Sequence, residues 1–104
     1  MAIQLVAEVL DHAPPDLTHG EVRLLVCLAE WADKDTRQCW PGKEAVQRRM
    51  KAATWDPVAK LLRSLAAKGY EVRVPIGADS SGRTVVAAKG RRTAYRIPCF
   101  TPRD

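Results

Sequence analysis

Three groups of basic side chains have the types and spacing to meet a polyanion. They are Lys43 with Arg48 and Arg49, Lys60 with Arg63, and Arg83 with Lys89, Arg91 and Arg92. A lysine or arginine that neutralises a phosphate releases a condensed counterion, and an arginine can also read guanine through two hydrogen bonds. That chemistry is equilibrium binding, and each residue has the ordinary alternative of a solvated surface. Gly82 precedes the third group and Gly90 lies within it, and both free the backbone to order on contact.

Catalytic signatures are missing. His12 and His19 are the only histidines, and neither belongs to a Ser/His/Asp or Cys/His pattern. Cys27, Cys39 and Cys99 form no Cys-x-x-Cys pair, and Cys27 reads as a small core residue. There is no P-loop and no G-x-G-x-x-G. The expectation is therefore a protein that is not an enzyme and uses neither a metal nor a small-molecule cofactor. Of the tryptophans, Trp31 and Trp40 read as core, while Trp55 either stacks on a base or packs inward.

At 104 residues and 46% hydrophobic composition the chain suits one domain with one core. The net charge of +5 is unevenly spread: residues 1–42 are net −4, residues 43–69 net +5 and residues 70–104 net +4. Such asymmetry points to one face made for nucleic acid. No apolar run approaches the roughly 20 residues that span a bilayer, and the amino terminus lacks a signal-peptide pattern. A soluble cytoplasmic protein without a membrane partner is expected.

The elements that must position these residues follow from periodicity. Val6, Val9 and Leu10 mark a short helix over 3–12, stopped by Pro14-Pro15. Thr18 and Glu21 form a capping-box pattern, opening a buried helix to about Asp33 that is apolar nearly all round. A polar loop, 33–38, follows. Pro41-Gly42 opens a helix from Lys43 to about Met50, with Val46 and Met50 inward. After a short turn, Thr54 reads as the N-cap of a helix over 54–68. There Val58, Leu61, Leu62, Leu65 and Ala66 form an inward stripe, opposite Asp56, Lys60, Arg63 and Ala67. Gly69 is its stop. Tyr70, Val72, Val74 and Ile76 alternate as a strand, as do Thr93, Tyr95 and Ile97. Between them lie a turn-rich loop over 77–82, a further strand at about 83–88 and a basic tip, 89–92.

The order helix, helix, tight turn, helix, basic hairpin is that of a winged helix-turn-helix, mainly α with a small antiparallel β-wing, in one domain (helix 3–12, core 17–76, wing and last strand 77–98). Trp31-Ala32-Asp33, Cys39-Trp40-Pro41-Gly42-Lys43-Glu44, then Thr54, Val58, Leu65, Lys68 and Gly69 resemble the winged helix-turn-helix domains of actinobacterial, plasmid and phage proteins. The resemblance spans roughly Leu17 to Pro98. It implies base contacts around the start of the third helix of that motif, at Thr54, Trp55, Asp56, Ala59 and Lys60. The chain departs from the family pattern at Gly42 (usually serine), Gln47 (usually alanine), Lys51 (usually glycine) and Pro57 (usually threonine).

The expectation is sequence-specific binding of double-stranded DNA by a transcriptional regulator or a plasmid or phage replication or maintenance factor. Helix 54–68 would enter the major groove, residues 43–49 would meet phosphates and wing 77–92 the flanking backbone. The first helix either closes the core or pairs two copies into a homodimer. A protein–protein adaptor and an RNA-binding winged helix are the alternatives.

Overall fold

The capping box forms as the sequence demands. Glu21 N–H donates to the Thr18 hydroxyl (3.2 Å) and Thr18 N–H donates to Glu21 Oε1 (2.8 Å). It launches α2 (His19–Trp31), whose Leu24, Leu25, Leu28 and Ala29 are wholly buried. The computed structural model describes residues 3–75, 77–78, 80–82, 84–85 and 93–100. Within them, α1 (Ile3–His12) covers α2 through Leu5 and Val9. Helix α3 (Lys43–Arg49) adds Val46 to the core, and α4 (Asp56–Ala67) adds Val58, Leu62 and Leu65. Each fully buried aliphatic side chain contributes about 1.5–3 kcal/mol of transfer free energy.

Antiparallel strand pairs complete the domain. Strand β1 (Gln38–Cys39) pairs with β4 (Tyr95–Arg96) in the register Gln38 to Arg96 and Cys39 to Tyr95. The chain at 72–74 lies along the other edge of β4, with Arg73 bridging Tyr95. Val74 N–H donates to Ala94 O (2.8 Å) and Arg96 N–H to Val72 O (2.7 Å). Strands β2 (Gly77–Ala78) and β3 (Thr84–Val85) form a hairpin.

Several expectations are corrected. The stripe of α1 is Leu5 and Val9, with Val6 half-buried and Leu10 exposed. Helix α2 stops at Trp31 rather than Asp33, with Ala32 extended as its cap. The expected strand from Tyr70 to Ile76 is reduced, in its described part, to the single bridge at Arg73, since Pro75 has no N–H to extend the ladder. The expected loop over 77–82 begins in strand β2. Trp40 is 53% exposed. Side chains alternate along a strand, so with Cys39 turned into the core the next residue faces out. Thr54 does not cap α4: the cap position is Trp55, without a side-chain cap bond. Packing the Trp55 indole on the core outweighs a hydroxyl cap worth about 1 kcal/mol.

One clamp had no sequence signal. Arg37 takes a left-handed φ of 63° and its guanidinium donates to Glu8 Oε1 (3.2 Å), Ile97 O (3.0 Å) and Pro98 O (2.7 Å). Glu8 Oε2 accepts from the same guanidinium and from the Phe100 amide (3.0 Å). This set ties α1, the approach to β1 and the chain beyond β4.

Candidate nucleic-acid interface

Helix α4 has one buried and one solvated side. Val58, Leu62 and Leu65 face the core, while Asp56, Lys60, Arg63 and Ala67 are exposed. At 100° per residue these exposed residues share the opposite face. Ala59 lies at its margin, half-buried. Pro57 occupies the first turn, where its missing N–H costs no helical hydrogen bond.

Three contacts fix how α4 sits. At its C-terminal end, Lys68 Nζ donates to Glu21 Oε1 (2.6 Å) and Asp16 O (2.8 Å). Burial pushes the Glu21 carboxyl up. The Lys68 ammonium foremost, then the Thr18 amide and the Ser64 and Thr18 side chains, outweigh that and hold its pKa at about 2, below the ordinary 4.5. Glu21 Oε2 has no hydrogen-bond partner of normal geometry among the described residues. Along the same side, a Cβ on Gly20 would lie 3.2 Å from Leu61 Cδ2, so glycine lets α2 and α4 approach closely. At the N-terminal end, half-buried Trp55 carries the Lys43 ammonium 5.0 Å from its ring centroid. Thr54, just before it, is exposed.

The turn between α3 and α4 is equally defined. Ala52 N–H donates to Gln47 O (3.1 Å) and Lys51 N–H to Arg48 O (3.1 Å), the hydrogen-bond pair of a Schellman motif. Lys51 holds the left-handed position at φ 59°. The Gln47 side chain donates to Ala53 O (3.1 Å), which gives it a structural role in the turn.

The basic residues divide into two kinds. Arg49 pairs with Glu30 (2.5 Å), stacks 4.9 Å over Trp31 and accepts from Arg23 through its own carbonyl (3.1 Å). Lys68 and Arg73 are likewise paired, with Glu21 and Glu71. Arg48, Lys51, Lys60 and Arg63 are exposed and, among the described residues, have no ion-pair partner. The predicted contacts Arg83, Lys89, Arg91 and Arg92, and the strand residue Ile76, lie outside the described residues.

Cys27 and Cys39 are buried and Cys99 is exposed. Burial pushes the Cys39 thiol up to about 12, and its S–H donates to Leu28 O (3.4 Å). Burial also raises Cys27. Among the described residues no group of three His, Cys, Asp or Glu side chains could hold a metal, and no helix is long and apolar enough to cross a membrane. No family model, curated protein or solved structure matches the chain.

Lys51, Gln47 and the Lys68–Glu21 pair extend what the sequence singled out. The signal for Lys51 was its place one residue past the end of a helix, where a glycine is normal. Lys68 and Glu21 had none, because 47 positions separate them.

Proposed function

We propose that this protein binds duplex DNA as a winged helix-turn-helix. In this reading α4 enters the major groove, and α3 lies against the adjacent phosphates. The β2–β3 hairpin and the basic segment after it track the flanking backbone. The carrying observation is the two-sided α4: Val58, Leu62 and Leu65 are buried, while Lys60 and Arg63 stand exposed without ion-pair partners among the described residues. An α-helix about 10–12 Å across fits a major groove about 12 Å wide. The 12 residues of α4 would run about 18 Å along it. The short, hydrogen-bonded α3–α4 turn supports the reading, because it sets the angle between a bracing helix and an entering one. The motifs from Trp31 to Gly69 support it independently through their resemblance to winged helix-turn-helix domains of actinobacterial, plasmid and phage proteins. Transcriptional regulation, or replication or maintenance of a plasmid or phage, is the role that resemblance suggests.

Fluorescence anisotropy with a labelled mixed-sequence duplex, competed by unlabelled duplex or by structured RNA, tests this. The expected result is binding that weakens steeply as salt rises and is displaced far better by duplex DNA. Preferential displacement by RNA, or no binding at low salt, contradicts it.

A further inference from the structure

Helices α3 and α4 end in the same motif with different residues. After α4, Gly69 N–H donates to Ala66 O (3.0 Å) and Tyr70 N–H to Leu65 O (2.9 Å), with Gly69 at φ 93°. After α3, Lys51 and Ala52 make the equivalent bonds to Arg48 and Gln47, with Lys51 at φ 59°. Glycine reaches this region freely, whereas a lysine Cβ crowds the following carbonyl there. The turn does not need the lysine side chain, because its backbone bonds and the Gln47 bridge to Ala53 already hold it. Among the described residues the Lys51 ammonium has no ion-pair or hydrogen-bond partner, and the residue is exposed. What lysine adds over glycine is therefore a positive charge directed outside the molecule, on the link between α3 and α4 and beside exposed Arg48.

We infer that Lys51 is a DNA-phosphate contact, kept at a strained backbone position for its charge; this rests on the duplex-binding reading above. The left-handed residue anchors the ammonium at the one bend where the bracing helix gives way to the entering one. Backbone strain of this kind clusters at functional sites, where it persists because the surroundings over-determine the backbone.

Three variants test it: Lys51→Gly removes charge and strain, Lys51→Ala removes the charge alone, and Lys51→Arg keeps it. Lys51→Gly is expected to raise Tm by about 3–6 °C, while Lys51→Ala leaves it nearly unchanged. Both should weaken duplex binding about 3- to 10-fold near 0.1 M salt and lower the slope of log affinity against log salt by about one. Lys51→Arg should bind as the parent does. A Lys51→Gly protein that gains stability yet keeps the parental affinity and slope overturns the inference, as does equal weakening by Lys51→Arg. A parent protein that ignores duplex DNA instead overturns the functional reading itself, so the two failures are separable.

Discussion

Two groups of cations contrast among the described residues of this molecule. Arg37, Lys68 and Arg49 each hold an acid across elements: Glu8 from α1, Glu21 from the start of α2 and Glu30 near its end. Arg48, Lys51, Lys60 and Arg63, all between the start of α3 and the end of α4, hold none among the described residues. The first population spans long sequence separations and is partly or wholly shielded. The four of the second lie within one short stretch and face solvent. A charge desolvated inside a fold must be matched there, while a charge left unmatched on the surface is available to an external anion. The comparison separates residues that build the domain from residues that give it an exposed basic side.

The largest expected effect is on the paired side. Arg37→Ala removes the ion pair with the Glu8 carboxylate, whose side chain is only 12% exposed, and the bonds to Ile97 O and Pro98 O. A loss of about 2–4 kcal/mol in urea unfolding is expected. Lys60→Ala should change stability by less than about 0.5 kcal/mol. Similar values for the two would dissolve the distinction between the populations.

Acid titration probes the same side. The Glu21 carboxyl has its folded pKa depressed to about 2 from the ordinary 4.5, so its stabilisation is complete above about 4.5 and is lost as pH falls through about 2. The urea midpoint of the parent protein should decline across that window, and Glu21→Gln should flatten the decline while lowering stability at neutral pH. An equally steep decline in the variant would mean that other carboxylates carry the acid response.

Arg49 is the intermediate case, paired with Glu30 but 43% exposed at its side chain. Arg49→Ala should cost about 1 kcal/mol from the lost ion pair and the stacking on Trp31. Thermal unfolding reads this directly. A cost near zero would move Arg49 to the solvated population and sharpen the boundary between the two.

Local rules carried much of the fold. The Thr18–Glu21 capping box, the Val58–Leu62–Leu65 stripe and the Gly69 stop depend on neighbours within a few residues, and all three form. The failures are tertiary. Trp55 displaces Thr54 from the cap position because burying an indole outweighs a hydroxyl bond. Trp40 turns outward because β1 places Cys39 inward, and β1 is only two residues long, too short to show a period. Arg37 resembled a loop residue because its partners are 29 to 61 positions away. For the candidate interface, the exposed face of α4 was legible from helical spacing. That Arg49 is spoken for while Arg48 is not depends on Glu30 and Trp31, which only the fold brings beside it.

The most direct test of the account is the salt dependence of duplex binding, measured by fluorescence anisotropy for the parent protein, for Lys60→Ala with Arg63→Ala, and for Arg49→Ala. The account predicts that the α4 double variant stays folded, binds more weakly and loses about two from the slope of log affinity against log salt, while Arg49→Ala keeps the parental slope. Equal slopes for the parent and the double variant, with all three proteins folded, would contradict the claim that the unpaired face of α4 meets DNA.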